Sequence, residues 1–430
     1  MESKKEIVII GGGFAGLAAG VELVSQGHHV TVIESRGHLG GRAYSYREPA
    51  LGTTLDNGQH IVMGCYHETL AFLEKIGTLD RIDFQQNLTV DFAGVGTGIK
   101  RFKAWPLPNP FHLLSGFLFF KGFSFEEKWA LRHLAKALKA LQGNDQAIRA
   151  LDQYSVSEWL TAHHQPKSSQ EKFWDIFNFA ALNDSPQNSS AALFVRVLQE
   201  ALFSGKAGAR IGVPKVGLSD LYAEAARDYI ERKGGNFLIK TKVHKIHFDL
   251  NEVIDIELEG GRRLAVETLL STVPFTALKK ILPENVLYQD PFFQPLHKLS
   301  YSPIVSIHLW FDRPVIDRPF VGLWGTRVHW VFSKQGTHPY VSLVISGGRE
   351  EFKMTAPALI QMAMAELKSI FPNVVDAKLL HSMVSKEPEA TLAPMPGVES
   401  LRLPQKTPYR NFYLLGIGRI QDYQPLSKVL

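Results

Sequence analysis

The feature that most constrains this chain stands at its start. Ile7-Val8-Ile9-Ile10 is wholly apolar, as expected of a central parallel strand covered on both faces. Gly11-Gly12-Gly13-Phe14-Ala15-Gly16 follows directly. Gly11 permits a tight turn, Gly13 lets backbone approach a pyrophosphate, and Gly16 lets the next helix pack closely on the strand. That helix is predicted over Leu17 to Gln26, with Gly27 as its C-cap, and its N-terminal amides and dipole would face phosphates. A second strand, His29 to Ile33, ends at Glu34. This is close to the offset of about 20 residues at which a carboxylate takes the ribose hydroxyls of adenosine. Glycine triads alone also occur in ordinary turns. Strand, triad, helix, strand and acid in one unit predict a dinucleotide site formed by Gly11, Gly13, Phe14, Ala15, Gly16, Glu34 and Ser35, against the alternative of a doubly wound fold without nucleotide.

A second glycine cluster follows at once, Arg36-Gly37-His38-Leu39-Gly40-Gly41-Arg42-Ala43-Tyr44-Ser45. Here the sequence resembles the flavoprotein superfamily of amine oxidases and phytoene desaturases, in which this motif lies along FAD. The resemblance implies FAD as cofactor, with Gly40 and Gly41 beside it. It also places Arg42 at the pyrophosphate or flavin, a role suited to a fixed fork of donors. Asp56-Asn57-Gly58-Gln59-His60 and Gly64-Cys65-Tyr66 resemble the stretch that brings backbone to the flavin ring in squalene-associated FAD enzymes, the hydroxysqualene dehydroxylases. That resemblance continues through Trp105-Pro106-Leu107-Pro108, Ala181-Leu182-Asn183, Pro214 with Gly217-Leu218, Trp330-Val331-Phe332, and Lys386-Glu387 with Ala390-Thr391. It therefore spans nearly the whole chain, carried by order and spacing more than by any one motif.

The resemblance implies that Gly58, Gln59 and His60 approach the flavin and that the backbone of Val243 meets the adenine. Lys242 to Ile246 alternates as a strand, a pattern that a plain structural strand shares. Gln59 and His60 are the candidate catalytic side chains, since imidazole can carry a proton near neutral pH. A structural hydrogen-bonding histidine in a turn is the alternative. No side chain identifies itself as the acid for a leaving oxygen.

A chain of 430 residues can bury two cores. The expected fold is α/β, with a discontinuous Rossmann-like FAD-binding domain (1–80, 214–275 and 385–430) and an inserted mixed α+β substrate domain (81–213 and 276–384). The net charge of +5 comes from scattered basic residues, which gives no expectation of nucleic acid. The only cysteine, Cys65, excludes an intramolecular disulfide and a zinc cluster, so no metal is expected and a cytoplasmic location is. No signal peptide is read at the N-terminus, and no run reaches the roughly 18 uncharged residues of a spanning helix.

The segment 111–125 holds Phe111, Leu113, Leu114, Phe117, Leu118, Phe119, Phe120, Phe123 and Phe125. With Lys121 and Lys128 at headgroup level, its aromatic face suits peripheral contact with the inner face of the membrane. A buried core helix has the same composition. Ile304 to Phe311 and Val341 to Ile345 are apolar runs of strand length, suited to a sheet lining a hydrophobic tunnel. The resemblance implies a long apolar isoprenoid as substrate and FAD-dependent removal of the hydroxyl of hydroxysqualene to give squalene, a step toward hopanoids. A carotenoid or phytoene desaturase is the alternative, and an inactive FAD-binding remnant is a third reading.

That third reading comes from the C-terminus. The resembled family closes with a segment like GDWTDSGLPATIESA, whereas here Phe412 to Gly416 is followed by Ile417-Gly418-Arg419-Ile420-Gln421-Asp422 and an unrelated tail. One permissible coding of Gly416 to Leu430, read from its third base, spells Asp-Trp-Thr-Asp-Ser-Gly-Leu-Pro-Ala-Thr-Ile-Glu-Ser-Ala. One missing base at Gly416, natural or from sequencing, accounts for the tail. Pro425 disfavours a helix there.

Overall fold

A computed structural model describes residues 4–108, 111–202, 205–334 and 339–416. Its first layer is a five-stranded sheet, all parallel, in the order Asn236–Ile239, His29–Glu34, Glu6–Ile10, Thr268–Ser271, Phe412–Leu414. The apolar first strand sits at its centre, and Ile7 and Ile9 are almost wholly buried. The helix Phe14–Ser25 returns the chain to the second strand. It begins three residues before the expected Leu17, because Gly13 is already its N-cap. Separate apolar clusters cover the two faces of this sheet.

The second layer is a seven-stranded mixed sheet in the order Leu379–Leu392, Tyr301–Phe311, Tyr340–Ser346, Trp330–Lys334, Phe320–Trp324, Thr89–Gly94, Lys100–Lys103. Only Phe320–Trp324 and Thr89–Gly94 run parallel. Helix Ala356–Ile370 covers one face through Leu359, Ala363 and Leu367. Helices Phe125–Leu141, Val156–Ala162 and Ala191–Leu202 build the aromatic-rich cluster on the other. One expected boundary needs correction. A cut at 385 divides the strand Leu379–Leu392, which pairs with Tyr301–Phe311 from Leu379 through to Leu392. This strand belongs to the second sheet and carries the chain back toward the first.

Segment 111–125 is buried on one side and exposed on the other. Helix Phe111–Phe119 buries His112, Leu113, Ser115 and Gly116, and Phe120 and Phe123 are buried beyond it. Phe111, Leu114, Leu118, Phe119 and Phe125 face solvent.

Candidate functional site

The two glycine clusters meet backbone to backbone. Gly11 turns at a φ of +107°, and its amide donates to the Ile33 carbonyl at 2.8 Å. A Cβ on Gly16 would stand 1.9 Å from the Gly11 carbonyl oxygen, so only glycine lets the helix start this close to the turn. The Gly40 amide donates to the Gly12 carbonyl at 2.9 Å, and Gly13 and Gly40 form an isolated parallel bridge. Helix Phe14–Ser25 has no side-chain cap and no acid in its first turn. Its leading amides are therefore left for an anion from outside the chain.

Glu34 ends the second strand at 6% exposure. Its Oε2 accepts from the Gly12 amide at 2.8 Å, and its Oε1 accepts from the Arg36 amide at 2.7 Å. These bonds fix the carboxylate beside the first glycine turn. Ser35, Thr241, Lys242 and Val243 line the same end of the cavity.

From there a cavity of about 1250 Å3 passes Phe14, Ala15, Gly41 and Arg42, reaches Gln59, His60 and Gly416, and ends among apolar side chains of the second sheet. Arg42 donates through Nη1 to the carbonyls of Glu389 at 2.7 Å and Ala390 at 3.1 Å. Asp56, two residues before Gly58, is held by three partners. Its Oδ1 accepts from Ser45 Oγ at 2.7 Å and the Leu218 amide at 2.9 Å, and its Oδ2 lies 3.3 Å from Lys334 Nζ. Asn57 donates to the Arg42 carbonyl at 2.9 Å.

Gln59 presents a buried Nε2 with no hydrogen-bond partner among the described residues. His60 opens to the cavity yet is enclosed by protein around its ring. That enclosure holds its pKa below the ordinary histidine value, against the opposing pull of the Gly58 carbonyl and of Asp56. Nδ1 lies 3.0 Å from the Gly58 carbonyl. A carbonyl can only accept, so the neutral ring carries its proton on Nδ1 and leaves Nε2 as the acceptor. Cys65 is no thiolate nucleophile, because burial pushes its thiol up to about 11.

Two positioning residues, Tyr222 and Thr272, escaped the sequence reading. Tyr222 lies in a single π-helical turn, Ser219–Ala223. Its hydroxyl stands 2.8 Å from the Gly40 carbonyl and 2.6 Å from that of Ala43, pinning the second glycine loop. Thr272 Oγ1 lies 2.9 Å from the carbonyls of Ile10 and Gly11. Its place just beyond the C-terminal end of a parallel strand is the signal that could have found it. Asn183, in a left-handed turn at the end of helix Asp175–Leu182, donates to Thr391 Oγ1 at 2.9 Å. Two of the resembled motifs therefore meet in space. The tail expectation, from Ile417 onward, lies outside the described residues.

The all-parallel first sheet with its glycine-lined crevice, joined to a mixed sheet that closes an apolar cavity, defines the class of flavin-dependent oxidoreductases. The chain matches the family described as flavin-containing amine oxidoreductase over residues 14–424, and it belongs to that family; its cofactor is FAD. Among curated relatives, it is 24% identical over 461 residues to the zeta-carotene desaturase of Synechocystis sp., covering 97% of this chain and 93% of the relative. It is 26% identical over 454 residues to the 15-cis-phytoene desaturase of Capsicum annuum, covering 97% and 74%. Similar solved structures include an oxidoreductase from Methanosarcina mazei, with a TM-score of 0.73, 17% identity and coverage of 96% and 94%. Cyclohexylamine oxidase from Brevibacterium oxydans superposes with a TM-score of 0.68 at 18% identity, covering 96% and 93%.

The site fits FAD on its own features. The Gly11–Gly16 cradle has no room for a Cβ at Gly16, the first helix is uncapped, and the buried Gln59 amide lacks a partner among the described residues.

Proposed function

We propose that the chain is an FAD-dependent oxidoreductase acting on a long isoprenoid hydrocarbon. The observation that carries this is the inner end of the cavity, where Phe179, Leu193, Ile304, Phe320, Trp330 and Phe332 form the wall. An aromatic and aliphatic surface of this kind suits a hydrocarbon chain better than a small amine. The cavity's volume exceeds the roughly 300–1,000 Å3 of an ordinary ligand pocket, as a dinucleotide and a substrate together require.

In this reading Gly11, Gly13, Phe14, Ala15 and Gly16 hold the pyrophosphate, with Gly40, Gly41 and Arg42 along its other side. Glu34 and Ser35 hold the ribose, and the Val243 backbone meets the adenine. Gly58, Gln59 and His60 hold the ring. Bound FAD supplies two-electron hydride chemistry. The apolar wall orients the hydrocarbon and keeps water out, and His60, neutral at pH 7, offers Nε2 as an acceptor at the flavin end.

Desaturation is the first reaction to test, because the curated relatives named above are carotenoid desaturases. A hydride and a proton leave adjacent carbons, a double bond forms, and two electrons pass to an acceptor such as a quinone. The run of motifs from Asp56 to Thr391 favours a second reading, reductive dehydroxylation of hydroxysqualene. There the C–O bond breaks, hydroxide takes a proton and leaves as water, and a hydride arrives at the carbon. One experiment separates them. FAD-loaded protein is given phytoene or zeta-carotene with a quinone, and separately hydroxysqualene with reduced FAD without oxygen. A product two hydrogens poorer supports desaturation, and squalene supports dehydroxylation. If neither substrate changes while a primary amine is oxidised, the isoprenoid reading fails.

A further inference from the structure

Outside the cavity, helix Phe111–Phe119 is apolar on both sides. Its inner side is seated tightly, since a Cβ on Gly116 would stand 2.6 Å from the Phe102 ring. Its outer side is largely open to solvent among the described residues. Phe111, Leu114, Leu118 and Phe119 are 54–59% exposed, and Phe125 and Trp129 reach 80% and 61%. Positions 111, 114 and 118 share one helical face, and Trp105 extends the patch by stacking flat on Phe119 at 4.6 Å. A contiguous apolar patch of this kind marks an interaction surface.

The charge around it identifies the partner. Between 100 and 140 the sequence holds eight lysines and arginines against two acids, Glu126 and Glu127. Of the acids, Glu127 is buried and bonded to Lys172 at 3.0 Å. Lys121 is exposed, Lys128 reaches the Leu118 carbonyl at 2.8 Å, and Arg132 lies over the Trp129 ring at 4.1 Å. Cations with apolar stems beside exposed tryptophan suit the headgroup level of an anionic bilayer. A second copy of the chain would bring like charges together across a self-complementary interface. No helix among the described residues is long and apolar enough to cross a membrane.

We propose that the face formed by helix Phe111–Phe119, Phe125 and Trp129 docks the protein on an anionic lipid bilayer, its apolar side chains at the acyl boundary and Lys121, Lys128 and Arg132 among the headgroups. The inference stands on this surface and not on the substrate proposed above. The same helix backs onto the cavity through a chain of tilted ring contacts. Phe117 lies 5.1 Å from Phe173, Phe173 lies 5.3 Å from Phe92, and Phe92 lies 6.4 Å from the cavity-lining Trp330.

The test uses the FAD-loaded full chain and vesicles of phosphatidylcholine with about 30% phosphatidylglycerol, matching the anionic charge that basic patches read. The protein is expected to float with these vesicles at low salt, and about tenfold less with phosphatidylcholine alone. Leu114→Ser with Leu118→Ser should weaken partitioning by at least about tenfold while circular dichroism and FAD content stay unchanged. Brominated lipid should quench tryptophan emission, and Trp105→Phe with Trp129→Phe should remove most of that quenching. If the wild type stays unbound, if the serine variant binds equally, or if sedimentation shows a dimer that the serine variant dissolves, the proposal is overturned.

Discussion

Gly16→Ala tests the cofactor cradle at its tightest point. The new Cβ would meet the Gly11 carbonyl oxygen at 1.9 Å and Thr272 Oγ1 at 2.8 Å, whereas ordinary contact begins at 3.4 Å. The carbonyl must therefore retreat by about 1.5 Å. It belongs to a backbone turn and cannot rotate away like a side-chain terminus. The retreat breaks the 2.9 Å contact with Thr272 and strains the 2.8 Å bond from the Gly11 amide to Ile33. At about 1 kcal/mol for each hydrogen bond, the direct loss is about 2 kcal/mol, before the helix amides are displaced from the phosphates. FAD affinity should fall by at least about thirtyfold. The assay is titration of apoprotein with FAD, followed by protein fluorescence quenching, with thermal unfolding measured in parallel. Gly20→Ala is the control in the same helix. Its Cβ would crowd only the Ile230 side-chain terminus at 2.8 Å, with Val32 at an ordinary 3.7 Å; that terminus can shift, and alanine gains up to about 1 kcal/mol of helix propensity. If Gly16→Ala binds FAD as tightly as the wild type, the pyrophosphate does not lie on this turn.

Three further outcomes are expected. Asp56→Asn removes a buried charge that receives Ser45, Leu218 and Lys334, so unfolding free energy should fall by about 1–3 kcal/mol and FAD affinity should fall with it, as read by urea unfolding and titration. Burial holds His308 down to about 4 with Lys334 adding to the effect, and burial holds His329 to about 3. Both side chains are neutral in the fold and protonate more readily when it opens. The stability they confer is therefore fully present above the unfolded value of about 6.5, is lost as pH falls below it, and amounts to about 3 kcal/mol for His308 by pH 4. Chemical denaturation across this range should show the loss, and a flat profile from pH 7 to 4 would refute it. Sequencing the coding DNA at Gly416 should reveal the alternate-frame segment, and the frame-corrected protein should retain more FAD after gel filtration. Equal flavin content in both forms would refute the frame argument.

The cradle was legible in the sequence because its rules are local. An apolar strand, glycines where a turn and a close approach require them, and an acid at the next strand end need no long-range contact to be recognised. The helix boundary was missed by three residues because Phe14, Ala15 and Gly16 were counted as turn, although their backbone is already helical after Gly13. Tyr222 was illegible for another reason. A π-helical turn has no periodicity signature, so nothing in the sequence aims that hydroxyl at the second glycine loop. The aromatic segment 111–125 was ambiguous because apolar residues on both sides of a helix do not say which side is buried, and the fold buries one side and exposes the other.

What joins cradle to substrate wall lay beyond any local rule. Arg42 was expected at the cofactor, and it does line the cavity, but its Nη1 is taken by the carbonyls of Glu389 and Ala390, 347 and 348 residues away. The remainder of its five donors is left for a ligand, so one side chain fastens the second sheet to the first while facing the site. Asn57 repeats the pattern more weakly, donating to the Arg42 carbonyl at 2.9 Å and reaching Glu387 at 3.5 Å. Both links fall on the strand Leu379–Leu392, the element that the boundary expected at 385 would have cut in two. The physical consequence is that the proposed cofactor and substrate surfaces are set by shared bonds, so geometry at the proposed flavin end depends on the register of a strand that the nucleotide motifs do not encode.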